Sequence, residues 1–366
     1  MQPLPLPAGI RSRFVEGNNG LRMHVLEAGD PKAPGLLLLH GFPELAFSWR
    51  KVMPPLAEAG YHVMAPDQRG FGRTTGWDPE YDGDLASFHG LNLARDALGV
   101  VRALGHETVG LAGHDFGSLL GALCALLRPD VFRSVALMSA PFGGLLPIDA
   151  ISPGKILADL AALPRPRKHY QAYYCTREAN RDMLEAPQGL RAFLRGYFHA
   201  KSADWKQNRP HPLGSWTAAE LARMPTYYIM DLHENMAQTV AREMPSAAEA
   251  AACRWLTEDE LSVYAAELER TGFQGGLQWY RANWSPQLNR LLQLFAGRTI
   301  DVPACFISGK SDWGNYQRPG DLERMATQAC TQYRGTHLVE GAGHWVQQEQ
   351  PEAVVALLGE FLAGAR

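Results

Sequence analysis

One aspartate stands at the centre of a glycine-flanked pentapeptide, Gly113-His114-Asp115-Phe116-Gly117, between a predicted strand and a predicted helix. The order glycine, any residue, nucleophile, any residue, glycine makes a sharp turn that lifts the central side chain above the carboxyl end of a sheet. Asp115 could instead cap the following helix, a role that aspartate often takes. The pentapeptide alone does not decide between these two interpretations.

A second short motif, His40-Gly41-Phe42-Pro43-Glu44, follows the first long apolar run. A hydrolase with a nucleophile elbow places here a loop whose backbone N–H joins the N–H after the nucleophile to form an oxyanion hole. We therefore predict that Phe42 and Phe116 are the two backbone donors. Taken alone, the motif is more typical of a turn that ends a strand.

Two further residues supply a base and its orienting acid in the chain order nucleophile, acid, histidine. Asp312 stands just beyond a predicted strand that ends at Ser308, and His344 stands just beyond the next one. Either could be an ordinary loop residue. Asp301 is a poorer candidate for the acid because it precedes its strand. The four features in this order are far more specific than any one of them, and together they predict a catalytic triad of Asp115, His344 and Asp312.

A carboxylate nucleophile restricts the substrate. A serine that attacked a saturated carbon would form an inert ether, whereas Asp115 would form an alkyl ester. Water deprotonated by His344 could then hydrolyse that ester, while Asp312 orients the imidazole. The predicted substrates are therefore epoxides, haloalkanes or haloacids.

Short apolar runs alternate with helical stretches, which is typical of a mostly parallel sheet covered by helices. A hairpin at residues 11–27 opens the chain, one helix with an apolar face is predicted over residues 84–104, and a last helix begins at Pro351. We therefore predict the α/β class. The predicted strands cover residues 35–40, 61–66, 108–113, 132–139, 302–308 and 337–340, and the first four of these are expected to be buried on both faces.

The segment at residues 142–298 has a different composition. It is rich in Tyr, Trp, Pro and Ala, shows no clear buried strand, and carries the helix-starting capping box Thr257-Glu258-Asp259-Glu260. We therefore predict a core formed by residues 1–141 and 299–366, and an inserted helical lid domain formed by residues 142–298.

The bulk composition narrows the class of partner. The formal net charge is -3 and basic residues are scattered, so neither nucleic acid nor an anionic membrane is indicated. Five widely spaced cysteines form no Cys-x-x-Cys pair or Cys/His cluster, so neither a disulfide framework nor a metal site is predicted. Without a signal peptide or a membrane-spanning run, we expect a cytoplasmic protein with no membrane insertion. The oligomeric state is open, and a homodimer is one of the options.

The sequence resembles the epoxide hydrolases of the α/β-hydrolase superfamily over nearly its whole length. The resemblance implies the α/β-hydrolase fold and hydrolysis of an epoxide to a vicinal diol without a cofactor. Two positions depart from the family pattern, since Phe116 stands where Trp is common and Gln278 where Asn is common. The motifs that carry the resemblance are HGFPE at 40–44, DQRGFGRT at 67–74, GHDFG at 113–117, LQWYR at 277–281, GKSDW at 309–313 and GAGHW at 341–345.

The leaving group separates the candidate substrates. An opening epoxide forms an alkoxide that needs a proton donor such as tyrosine, whereas a departing halide needs N–H donors, and the Phe116 side chain has none. Tyr280, within LQWYR, matches a family lid tyrosine, and Tyr170 looks like the other one. A packing role is the alternative for both. The remaining candidates for the second tyrosine are Tyr173, Tyr174, Tyr227 and Tyr228.

Epoxide hydrolysis is therefore the favoured function, with a small apolar epoxide and water as partners. A dehalogenase with an unusual halide site and a hydrolase-like binding protein without turnover are the alternatives. The complete set of Asp115, Asp312 and His344 argues against the binding protein, which needs no base. Glu44, beside the oxyanion loop, is a weaker candidate for holding a water near His344.

Overall fold

The fold is an eight-stranded sheet with helices on both faces, seen in a computed structural model that describes residues 3–145 and 153–365. The strands are β1 Ile10–Asn18, β2 Leu21–Ala28, β3 Gly35–Leu39, β4 His62–Pro66, β5 Val109–His114, β6 Phe132–Met138, β7 Arg167–His169, β8 Ile229–Asp231, β9 Ala304–Gly309 and β10 Tyr333–Val339. The strand order in the sheet is β1-β2-β4-β3-β5-β6-β9-β10. In it β1 pairs antiparallel with β2, β2 pairs antiparallel with β4, and the other neighbours are parallel. The predicted α/β class is confirmed.

Helices fill the connections between these strands. Those before β7 are α1 Met53–Glu58, α2 Gly90–Ala103, α3 Phe116–Leu127 and α4 Pro153–Ala161. Those between β7 and β9 are α5 Tyr170–Tyr174, α6 Ala179–Leu184, α7 Leu190–Lys201, α8 Ala218–Leu221, α9 Met236–Ala241, α10 Ala247–Ala252, α11 Glu258–Thr271, α12 Gln274–Trp284 and α13 Pro286–Asn289. The last are α14 Asp321–Arg324, α15 Val346–Glu349 and α16 Pro351–Ala363.

The central strands read as apolar runs because both of their faces are covered. All five residues of β3 are buried. Side chains of Leu37 and Leu39 pack in the layer that contains α2 and α3, and those of Leu36 and Leu38 pack on the other side with α1 and α16. This alternation follows from the two-residue period of a strand.

The predicted strands and the last helix are confirmed within a few residues, but the single helix predicted over residues 84–104 is wrong. A 3₁₀ turn covers Leu85–Phe88, and α2 begins only at Gly90. His89 between them is extended, with φ -70° and ψ 145°, and its ring accepts a hydrogen bond from the N–H of Leu91. The apolar spacing continues across this break, so the sequence pattern could not reveal it.

The segment between β6 and β9 is mainly helical and also contains a small two-stranded antiparallel sheet. The capping box predicted at residues 257–260 is confirmed at the start of α11, where the Thr257 side chain accepts from the N–H of Glu260. The prediction that this segment has no clear buried strand is wrong, because β7 pairs antiparallel with β8 over three residues each, and most of these residues are buried. Strands this short leave no readable period.

Within residues 3–145 and 153–365, none of the helices combines the length and apolarity that crossing a bilayer requires. The five cysteines are free thiols.

A buried ion pair ties the loop after β4 to α2. The Arg69 guanidinium donates from Nε to Asp96 Oδ2 at 2.7 Å and from a terminal nitrogen to Oδ1 at 2.9 Å. Asn19 donates to the same carboxylate at 2.7 Å. Burial raises the pKa of the Asp96 carboxyl, while the adjacent Arg69 opposes that rise.

We expect Arg69→Met to lower the free energy of unfolding by about 3 kcal/mol, because the Asp96 carboxylate would stay buried without its cation. Urea denaturation measures the change. The double variant Arg69→Met/Asp96→Leu removes both charges and should recover most of the loss. A double variant as unstable as the single one would show that packing, rather than the unpaired charge, causes the loss.

Candidate active site

The turn between β5 and α3 holds Asp115 in a strained conformation, with φ 55° and ψ -116°. Such a backbone costs on the order of 1–3 kcal/mol for a residue other than glycine. The flanking glycines are required by contact: a Cβ on Gly113 would lie 2.0 Å from the Gly117 carbonyl oxygen, and one on Gly117 would lie 2.1 Å from the Leu39 oxygen. The turn therefore presents the Asp115 side chain at the carboxyl edge of the sheet.

The loop after β3 contacts this carboxylate directly. The N–H of Phe42 donates to Asp115 Oδ1 at 3.0 Å. Gly41 has no room for a side chain, since a Cβ there would lie 2.4 Å from the Cβ of Asp115. Phe116 is the first residue of α3, so its N–H has no partner within the helix and belongs to the helix end that favours negative charge.

His344 lies between two carboxylates. Its Nε2 is 3.5 Å from Asp115 Oδ2, and its Nδ1 is 3.2 Å and 3.1 Å from the two oxygens of Asp312. The Asp312 carboxylate also accepts from the N–H of Gly314 at 2.7 Å, which fixes its orientation. The structure thus brings together Asp115, His344 and Asp312, which are far apart in the sequence.

The charges in this triad are strongly coupled. Burial alone would lower the pKa of the His344 imidazole, but Asp312 and Asp115 outweigh burial and the opposing charge of Lys201, and raise that pKa to about 9. Burial alone would raise the pKa of the Asp115 carboxyl, but His344, Lys201 and His114 hold it well below its usual range. Asp115 is therefore an ionised carboxylate beside an imidazolium at neutral pH.

Two tyrosines line the cavity that opens onto Asp115. Tyr280, on α12, packs its ring against Phe116 with centroids 4.5 Å apart, and Tyr170, at the start of α5, lies 6.0 Å from Tyr280 by ring centroids. Burial raises the pKa of both phenols, so both keep their protons at neutral pH. The Tyr170 hydroxyl donates to Gln317 at 3.1 Å.

The other four candidate tyrosines lie outside the described lining of this cavity. Three of their hydroxyl groups donate to a partner elsewhere, and the fourth is buried without a hydrogen-bond partner in the described part of the chain. They are Tyr173 with Asp182 at 3.2 Å, Tyr174 with the Tyr197 hydroxyl at 3.1 Å, Tyr227 with Asn208 at 2.7 Å, and Tyr228. This geometry favours Tyr170 as the second tyrosine.

A buried hydrogen-bond network lies behind the triad, and the sequence did not predict it. The Glu44 carboxylate accepts from His114 Nδ1 at 2.6 Å, from Gln347 at 3.0 Å and from Gln348 at 2.8 Å. The other ring nitrogen of His114 lies 2.6 Å from the carbonyl oxygen of His344. Glu44 therefore reaches His344 through His114. Glu44 belongs to the motif at residues 40–44 and His114 to the motif at residues 113–117, but neither motif indicates that the two side chains meet.

A second, partly buried carboxylate holds the loop that carries the histidine. Glu349 accepts from the N–H groups of Gly343 at 2.9 Å, Trp345 at 3.0 Å and Ala203 at 2.8 Å. Ala203 follows α7, so Glu349 joins the His344 loop to the segment inserted between β6 and β9.

The two departures from the family pattern are both accommodated. The Phe116 ring contacts Tyr280 and also lies 5.5 Å from the Trp279 ring by centroids, and it carries no donor. The Gln278 amide donates to the carbonyl oxygen of Glu80 at 2.8 Å and accepts from Arg281 at 2.6 Å. In the described ranges, no cluster of three or more His, Cys, Asp or Glu side chains is arranged to hold a metal ion.

Comparison with known proteins agrees with this geometry. Residues 34–170 match the α/β hydrolase fold family. The chain is 36% identical to epoxide hydrolase A of Mycobacterium tuberculosis over 358 residues, which cover 96% of this chain and 97% of that protein. This chain belongs to the epoxide hydrolase family.

Solved structures of the epoxide hydrolase family are also similar along almost the whole chain. The epoxide hydrolase from an endophytic Streptomyces has a TM-score of 0.79 and 30% identity, covering 98% of this chain and 96% of its own. Epoxide hydrolase A from Mycobacterium thermoresistibile has a TM-score of 0.78 and 34% identity, covering 98% and 99%. The family predicted from the motifs is therefore confirmed.

We expect His344 to carry a proton at neutral pH in the free protein and to titrate near its pKa of about 9, as read by NMR of ¹⁵N-labelled histidine. Asp115→Asn should lower that pKa by about one unit or more, because an opposite charge is removed. Asp30→Asn, in the turn between β2 and β3 at the opposite edge of the sheet, is the control. An imidazole already neutral at pH 7 would contradict the ion pair.

Proposed function

We propose that this protein is an epoxide hydrolase that converts a small apolar epoxide and water into a vicinal diol. The observation that carries the proposal is an ionised carboxylate nucleophile, Asp115, held between a backbone donor and His344 in a cavity lined by two tyrosines. Membership of the epoxide hydrolase family supports it.

In the first half-reaction, Asp115 attacks one ring carbon and the bond between that carbon and the epoxide oxygen breaks. The oxygen takes a proton from Tyr170 or Tyr280, both of which line the cavity with Asp115. The product is an alkyl ester on Asp115. Because the ester is neutral, His344 loses one of the two charges that keep it protonated, and its proton becomes available to the phenolate.

In the second half-reaction, neutral His344 takes a proton from water, and the resulting hydroxide adds to the ester carbonyl of Asp115. The N–H groups of Phe42 and Phe116 stabilise the oxyanion that forms there. Asp312 stabilises the imidazolium. Collapse of the intermediate breaks the bond between the Asp115 carbonyl carbon and the substrate oxygen. That oxygen takes the proton of the added hydroxyl group, which releases the diol and restores the Asp115 carboxylate beside protonated His344.

We also propose the domain division for this role. Residues 1–141 and 299–366 form the core that carries Asp115, Asp312 and His344. Residues 142–298 form a lid that carries the two tyrosines. Burial of both phenol rings on this segment supports the assignment, since proton transfer to the alkoxide requires a site shielded from water.

We expect His344→Gln to accumulate the ester, because ester formation needs only Asp115 and a tyrosine whereas hydrolysis needs the base. Intact-mass spectrometry after exposure to a mixed panel of epoxides and haloalkanes would show an increase equal to a whole epoxide. The double variant Asp115→Asn/His344→Gln should show none.

A mass increase equal to that of a haloalkane minus hydrogen halide would identify a dehalogenase instead. No adduct from folded His344→Gln, together with no diol from the unmodified protein across the panel, would refute the proposed reaction.

We expect Tyr280→Phe to slow ester formation by about 100-fold with little change in the rate of ester hydrolysis, because the phenol acts on the opening ring. Rapid-quench measurement of the esterified fraction separates the two rates. Tyr174→Phe is the matched control, since it removes a nearby buried hydroxyl that donates to Tyr197. Equal losses in the two variants would assign Tyr280 a packing role.

A further inference from the structure

A lysine is buried beside the triad. Lys201 is the last residue of α7 and is only 3% exposed. Its ammonium lies among five aromatic rings. Cation–π attraction to these rings compensates for part of the hydration that the ammonium loses on burial. The distances from Nζ to the ring centroids are 4.9 Å for Tyr228, 5.2 Å for Tyr197, 5.8 Å for Tyr170 and Trp345, and 5.9 Å for Tyr227. We call this group the ring cage.

The ammonium inside the ring cage also interacts electrostatically with the carboxylates of the candidate active site. Burial lowers the pKa of the Lys201 ammonium, and the carboxylates of Asp115, Asp312 and Glu44 act against burial. Among the described residues, no carboxylate lies within 4.0 Å of the ammonium in an ion pair. The cation therefore acts on the triad through space.

The backbone fixes the position of this lysine relative to the histidine. The N–H of His344 donates to the carbonyl oxygen of Lys201 at 2.8 Å. The ring of Trp345, next in the chain to His344, forms one wall of the ring cage. The backbones of Lys201 and His344 are therefore held side by side, and the neighbour of His344 in the chain contacts the ammonium.

The charged and titratable groups that face His344 come from four parts of the chain. They are Asp115 at the elbow, Asp312 after β9, His114 at the end of β5 with ring centroids 4.9 Å apart, and Lys201 on α7. The phenols of Tyr170, Tyr197, Tyr227 and Tyr228 and the carboxylate of Glu44 face Lys201.

Ester formation neutralises Asp115 but leaves Asp312, which still favours the imidazolium. A histidine that stayed protonated could not take a proton from water. Lys201 carries the positive charge on the inserted segment that opposes a second positive charge on His344.

We propose that Lys201 is a positioning residue for the second half-reaction: its caged ammonium is the fixed charge that keeps His344 free as a base once Asp115 is esterified. The proposal rests on the proposed function. It goes beyond that function because it gives the reaction a further charged group, on α7, that touches neither the substrate nor the nucleophile.

The test separates ester formation from ester hydrolysis as the pH is varied. Unmodified protein, Lys201→Met and Lys201→Arg are each mixed with styrene oxide in single-turnover amounts, and rapid quench with intact-mass spectrometry follows the esterified fraction. Methionine fills a similar volume without charge, and arginine keeps the charge. Lys201→Gln is the second neutral variant, and near-ultraviolet circular dichroism checks the fold of each.

In the neutral variants we expect the pH at which hydrolysis is half-maximal to rise by about one unit, because imidazolium is no longer opposed. Hydrolysis at neutral pH should then be about tenfold slower, with ester accumulating. The alkaline plateau and the rate of ester formation should stay close to those of the unmodified protein, and Lys201→Arg should keep the original midpoint.

An unchanged midpoint in the neutral variants overturns the proposal, even if the rate falls at every pH, since that pattern belongs to a structural role. A midpoint in Lys201→Arg that moves as far as in Lys201→Met also overturns it. If neither unmodified protein nor His344→Gln forms an ester, the proposed function fails, and this proposal fails with it. If the ester forms but the pH of half-maximal hydrolysis is unchanged in the neutral variants, only the role of Lys201 is rejected and the proposed function stands.

Discussion

The backbone of Asp115 is the constraint on which the rest of the structure depends. Its positive-φ conformation is costly for an aspartate and persists only where the surroundings leave no alternative. Here β5 ends at His114 and α3 begins at Phe116, so a single residue makes the whole turn. The parallel neighbours β3 and β6, buried on both faces, hold that turn rigidly. The glycines at this edge follow from the same constraint, because each stands where a Cβ would collide with backbone or with Asp115.

Charge in the site is balanced almost entirely by buried groups. Carboxylates of Asp115, Asp312 and Glu44 face the imidazole rings of His344 and His114. Water is largely excluded, so each charge acts strongly on the others. Under the proposed mechanism, the event that consumes the nucleophile also removes one of the charges that keep the base protonated. The two half-reactions are thereby ordered by electrostatics, without any need for a moving part.

The sequence predicted best what local chain geometry determines. The elbow at Asp115 and the positions of Asp312 and His344 follow from strand ends, and the carboxyl ends of parallel strands meet at one edge of a sheet. The choice among the tyrosines and the importance of Lys201 depend instead on how the helices between β6 and β9 pack, which no short motif records. A lysine at a helix carboxyl end is ordinarily a solvated residue favoured by the helix dipole, so its sequence position gave no sign of burial. Likewise, the break at His89 lies within an uninterrupted apolar period.

The contacts of Glu349 and its neighbours tie the His344 loop to the segment inserted between β6 and β9. Its carboxylate joins the loop of His344 to Ala203, the N–H of His344 bonds to Lys201, and the Trp345 indole donates to the carbonyl oxygen of Phe198 at 2.8 Å. Any displacement of the inserted segment at this side would therefore have to break these bonds or carry the histidine loop with it, so the alignment of His344 depends on the packing of α7 and the residues that follow it.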